Sequence, residues 1–209
     1  MSNTQDTNQD KVPVSQGSWK DSYLVQAWLV LLMAAFYGGL LVAVQLSWGP
    51  GIAENKRLAT YSRIPDLVPG ATVENVKELP LVKDGKTSVA YRCLDANQAT
   101  IGWVLPASGQ GFADQIDLLV GLDGKAEKLT GLFVLNQKET PGLGNFIKEP
   151  YFRDQFNGTA ADKPLTVVKG QDGNPSDNTV KALTGATISS RSVCEIVNNS
   201  LSLWKSELK

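Results

Sequence analysis

Between Asp21 and Glu54 the chain carries no charged residue, and Tyr23–Leu46 within that interval is almost wholly apolar. A helix of that length rises at about 1.5 Å per residue to roughly 36 Å, enough to cross a hydrocarbon core of about 30 Å. Trp19 and Trp48 bracket the run, where the aromatic belts of a membrane helix lie. A cleaved signal peptide has a shorter apolar core, about 7–15 residues, behind a basic start. Here the apolar run follows 22 residues rich in Ser, Asn, Gln and Asp. The sequence predicts a polar tail over 1–22, a retained transmembrane helix over 23–48 and one folded domain over 49–209. Lys11 and Lys20 flank the helix on one side, and Lys56, Arg57 and Arg63 on the other. The positive-inside count therefore leaves its orientation open.

Composition narrows the chemistry. The chain has no histidine, which removes histidine triads, histidine zinc sites and histidine-ligated haem. Two cysteines, Cys93 and Cys194, cannot supply the four thiolates of an ordinary iron–sulfur cluster. They read as small apolar residues. Redox chemistry, if any, then needs an organic cofactor or one that another subunit holds. From Gly49 onward basic and acidic residues are equal in number, so the domain has no nucleic-acid signature.

Within that domain Ala53–Ile64 reads as a short helix ended by Pro65. Thr87–Leu94, Thr100–Leu105, Ile116–Leu122 and Lys128–Leu135 are rich in β-branched and aromatic residues and read as strands. Asp84-Gly85 and Asp123-Gly124 read as hairpin turns between them. Phe146–Phe156 reads as a helix interrupted at Pro150, and Leu165–Lys169 as a last strand. Ser190–Leu208 places Val193, Ile196, Val197, Leu201 and Trp204 at helical spacing, with Ser192 and Glu195 as a capping box. Strands followed by a packing helix make this an α+β domain rather than a Rossmann alternation.

Phosphate-loop patterns fail on inspection. Gly85-Lys86-Thr87 ends like a nucleotide-binding loop, but Pro80 stands where its first glycine is needed. Gly109-Gln110-Gly111 and Gly142-Leu143-Gly144 lack a third glycine. Two other segments carry more. Glu139-Thr140-Pro141-Gly142-Leu143-Gly144 follows a strand, and its glycines let backbone approach a flat ligand, with Leu143 as an apolar platform. On the residues alone the favoured reading is a Pro-Gly turn leaving the sheet. Thr184-Gly185-Ala186-Thr187-Ile188-Ser189-Ser190 precedes the closing helix, whose free N–H groups suit a phosphate. Ordinary capping by Thr and Ser explains the same residues.

Taken together, these segments resemble the G subunit of the Rnf ion-pumping ferredoxin:NAD oxidoreductase. The chain is also similar to the C subunit of the sodium-pumping NADH:quinone reductase. Gly111-Phe112, Ile116–Asp123, Leu132–Gly144 and Thr184–Val193 follow the family's order. The resemblance implies a membrane anchor followed by one FMN-binding domain with an antiparallel-rich sheet and packed helices. It implies FMN attached to Thr187 through a phosphoester. It implies a flavin pocket drawing on Glu139, Thr140, Leu143 and Gly144, with Gly185 and Ala186 beside the attachment residue and Ser189 and Ser190 at the phosphate. Other Rnf-type subunits and a flavin transferase are the implied partners, and the extracytoplasmic face of the cytoplasmic membrane the implied location. Two positions depart from the pattern: Gln137 stands where a His is often found, and Lys181 where an Asp commonly precedes the attachment motif. A stand-alone membrane flavoprotein and a non-redox assembly subunit with an empty flavin fold are the alternative readings.

Overall fold

The computed structural model describes residues 23–83, 86–204 and 207–208. The polar tail and the Asp84-Gly85 turn lie outside them. The chain divides into two compact units, one ending at Glu54 and the other beginning at Asn55. The first holds most of helix α1 (Tyr23–Leu67), whose large apolar side chains, including Trp28, Leu31, Phe36 and Leu41, are exposed. It is the one described helix long and apolar enough to cross a membrane.

In the second unit, α1 continues through Pro65 to Leu67, so the separate helix expected to stop at Pro65 is not seen. Burial accounts for the extension. Ile64, Leu67 and Val68 are almost completely buried, packed with Tyr91, Cys93, Val104 and Leu119. The Thr130 hydroxyl donates to the Leu67 carbonyl at 2.6 Å, satisfying one of the carbonyls a helix end leaves free.

A five-stranded antiparallel meander follows, in the order β1 (Val76–Lys83), β2 (Lys86–Leu94), β3 (Thr100–Gln110), β4 (Gln115–Asp123) and β5 (Leu129–Asn136). Four of these strands were expected, while β1 was not. Its Pro80 argues against a strand, yet β1 lies at the sheet edge, where a missing donor is tolerated. The turn after β4 is longer than a two-residue hairpin: the Asp123 carboxylate accepts from the N–H groups of Glu127 and Lys128, and Ala126 adopts φ 54°.

Successive side chains of a strand point to opposite faces, and here both faces are covered. Leu118, Val120 and Leu122 of β4 join the cluster containing Val193, Val197 and Trp204, whereas Leu119 joins that of Ile64 and Leu67. Continuous apolar strands are the consequence. Helix α3 spans Thr187–Trp204, starting earlier than the expected Ser190. Ser192 and Glu195 therefore sit inside the helix and cap nothing. The Phe146–Phe156 segment divides into a 3₁₀ turn at Gly144–Lys148, α2 (Pro150–Arg153) and a 3₁₀ turn at Asp154–Phe156. The expected last strand shortens to β6 (Thr166–Val168), pairing in parallel with an unexpected β7 (Thr179–Lys181).

Cys93 and Cys194 are free, buried and in different clusters. Burial pushes the Cys93 thiol up to about 11 and is the main cause that pushes Cys194 up to about 12. At pH 8 both thiols are then almost wholly protonated, and the thiolate is the reactive form. Native protein should therefore resist thiol alkylation at pH 8 while urea-unfolded protein reacts at both positions. Rapid labelling of folded protein would contradict the packing.

Candidate functional site

Where β5 ends at Asn136, the chain leaves the sheet and Glu139 turns inward, only 3% exposed. A buried carboxylate is costly unless its oxygens find donors, and both do. Oε1 accepts from the Ala113 N–H at 3.0 Å, and Oε2 accepts from the Ser189 hydroxyl at 2.5 Å. Nearby, Lys138 pairs with Asp114 at 3.2 Å. The Gln115 N–H, and after it Lys138, hold the Asp114 carboxyl below its ordinary range.

The next residues form a tight turn. Leu143 and Asn145 both donate backbone N–H bonds to the Thr140 carbonyl, and Gly142 takes φ +74°. Leu143 is left 42% exposed. Gly144 is buried against the side chains this turn encloses: a Cβ on it would stand 2.6 Å from Ser189 Oγ and 3.0 Å from Glu139 Cβ.

The Thr184–Ser190 segment meets this turn directly. Gly185 has φ +78°, and a Cβ there would lie 2.8 Å from Leu143 Cδ2. The two segments singled out in the sequence thus touch in space. Thr184 is exposed, Ala186 buried and Thr187, the first residue of α3, half-buried. Phe146 and Ile188 are also exposed on these segments, giving an apolar surface beside a helix amino terminus.

Both serine hydroxyls are engaged within the chain. Ser189 gives its hydroxyl proton to Glu139. Ser190, fully buried, donates to the Ala186 carbonyl and accepts from the Leu183 N–H. Neither hydroxyl has a proton left for a phosphate oxygen. Ser190 N–H is bonded to Ala186 O, so the N–H groups of Thr187, Ile188 and Ser189 precede the first intrahelical bond. Those are the groups a helix start leaves free.

Lys181 lies on β7 and pairs with Asp172 at 2.7 Å, which holds the Asp172 carboxyl low. With Tyr151, Gln155, Leu183 and Thr184 it lines an open groove of about 440 Å³ at the start of the Thr184–Ser190 segment. A larger cavity, about 560 Å³, lies among Leu122, Glu127, Leu201 and Leu208. None of the candidate residues lines it, so cavity size does not locate this site. The part played by the Gly111–Asp114 loop, and by Ala113 above all, was not foreseen. Its donor is a backbone N–H, which leaves no trace in residue type.

Residues 111–202 match the family model of the FMN-binding domain, and that span includes every candidate residue described above. The chain is 32% identical over 151 residues to the G subunit of the ion-translocating oxidoreductase complex of Methanosarcina acetivorans, covering 71% of this chain and 74% of that one. The chain belongs to this G-subunit family. It is 30% identical over 142 residues to the G subunit of the Na⁺-translocating ferredoxin:NAD⁺ oxidoreductase complex of Acetobacterium woodii, covering 67% of each. Among solved structures, NqrC of Shewanella oneidensis shares the fold, with a TM-score of 0.55, 20% identity and coverage of 66% of this chain and 70% of that one.

The residues present fit the cofactor of that domain family. An apolar side chain, Leu143, stands beside a helix start whose N–H groups are free, and Gly185 keeps the two in contact. The packing of this G-subunit turn is testable. Gly144→Ala places its Cβ against a hydrogen-bonded pair and should cost about 1–3 kcal/mol. At roughly 2–4 °C per kcal/mol for a chain of this size, the melting temperature should fall by several degrees. Gly142→Ala meets open space and bears only the positive-φ cost of about 1 kcal/mol. Equal melting temperatures for the two variants would show that the Gly144 contact is loose.

Proposed function

We propose that the chain is a membrane-anchored electron-transfer subunit of an Rnf-type ion-translocating oxidoreductase complex, carrying FMN covalently on Thr187 through a phosphoester. The observation that carries this reading is the contact between Leu143 and Gly185, which joins the apolar turn to the start of α3. Flavin supplies one- and two-electron transfer that no side chain here performs.

The chain's own residues take defined parts. Thr187 provides the hydroxyl to which the phosphate is esterified. The free N–H groups of Ile188 and Ser189, at the positive end of the α3 dipole, face a phosphate better than the two spent serine hydroxyls. Leu143 supplies an apolar surface for the ring, and Thr140 and Gly144 shape the turn that presents it. Electron transfer of this kind asks for position and electrostatics rather than a side-chain acid or base, which agrees with a chain that has no histidine. In this reading Tyr23–Leu46 anchors the protein in the bilayer and the domain lies on the extracytoplasmic face. A flavin transferase loads it, and other members of the complex exchange electrons with it.

Replacement of Leu143 by Glu tests the reading. A carboxylate beside the ring disfavours the reduced, anionic flavin. At about 4 Å and an effective dielectric near 20 that interaction approaches 4 kcal/mol, and solvent at a half-exposed position lowers it. The reduction potential should fall while the flavin stays attached. An unchanged potential and spectrum would show that Glu139–Gly144 is a turn remote from the cofactor.

A further inference from the structure

Glu139 belongs to the turn that the resemblance assigns to the flavin pocket, yet it is buried and both its oxygens are engaged. Its partners lie 26 and 50 residues away, on the Gly111–Asp114 loop and on the first turn of α3. Gly111 and Gly144 press on the same carboxylate: a Cβ on Gly111 would collide with Oε1, and one on Gly144 would come within 3.0 Å of Oε2. Three separate segments therefore converge on one side chain with no room between them. A carboxylate is well matched to this place, because the amino terminus of α3 carries partial positive charge and charge-assisted hydrogen bonds are about twice as strong as neutral ones.

We infer that Glu139 is the positioning residue of this site: acting through Ser189, it fixes the start of α3, and with it Thr187, against the turn that presents Leu143. It does this without touching the cofactor. The inference rests on the flavin reading above for what is positioned, but the clip itself is a property of the chain. Ser189 is the only link between Glu139 and α3 among the described hydrogen bonds. Loss of the link at either end should therefore have the same effect.

The test uses the full chain in detergent, first without flavin and then after loading with FAD and a flavin transferase. Glu139→Met keeps the shape and removes both acceptors, Ser189→Ala removes the donor, and Glu139→Gln can still accept from Ala113 and donate to Ser189. In the flavin-free protein, exchange of the hydrogen-bonded Ala186 and Ser190 amides should quicken by about tenfold or more in Glu139→Met and in Ser189→Ala. The double variant should be no faster than Glu139→Met alone, and Glu139→Gln should restore most of the protection. In loaded protein, Glu139→Met and Ser189→Ala should keep the attached flavin and lose its induced visible circular dichroism, which Glu139→Gln retains. Protection in Ser189→Ala equal to that of the unaltered chain, or additive effects in the double variant, would overturn the inference. Changed exchange in a chain that accepts no flavin would uphold the clip and overturn the function reading instead.

Discussion

Thr187→Ala should abolish covalent flavin completely, and Thr184→Ala should leave it in place. Both threonines flank Gly185-Ala186, but they occupy different positions. Thr184 is exposed before the positive-φ glycine, whereas Thr187 opens α3 and is half-buried. Only the Thr187 hydroxyl stands next to the free N–H groups of a helix start, where an esterified phosphate is stabilised. Removing it costs little folding energy, since a half-buried Thr at a first helical position gives way to a better helix former. Flavin fluorescence of the denatured protein band reads the result directly. A fluorescent Thr187→Ala band, or a dark Thr184→Ala band, would move the attachment site.

A reporter enzyme active only outside the cytoplasm, fused after Lys209, should be fully active, and a cytoplasmic reporter at the same place inactive. Charge counting does not yield this result, because three basic residues follow the apolar run and two precede it. In the folded domain, however, Lys56 pairs with Asp117, Arg57 with Glu78 and Arg63 with Asp66. Those cations are engaged by the domain's own acids. The expected orientation belongs to the proposed reading, in which flavin is loaded on that face. Activity of the cytoplasmic reporter would overturn the localisation.

What could be read from the sequence was what local pattern encodes. Strands β2–β5 announce themselves through β-branched and aromatic runs, and α3 through Val193, Ile196, Val197, Leu201 and Trp204 at helical spacing. Edge strand β1 stayed hidden because Pro80 is a breaker anywhere but at an edge. The start of α3 was misplaced because Ser192 and Glu195 imitate a capping box. The actual start is held by tertiary bonds from Ser189 and Ser190, to Glu139 and to the Leu183–Ala186 turn. Pro65 looked like a stop, but the burial of Ile64, Leu67 and Val68 carries the helix past it. At the site, the motif residues were visible as a set. The division of labour between them was not. Burial of Glu139 and the spent serine hydroxyls depend on partners up to 50 residues away, and no spacing rule reports those.

The central claim, a flavin esterified to this chain, is tested most directly by the intact mass of the full protein made together with a flavin transferase and FAD. The account predicts one added FMN less one water, retained after denaturation and absent when the transferase is left out. A mass equal to that of the bare polypeptide under loading conditions, or flavin that departs on denaturation, would contradict it.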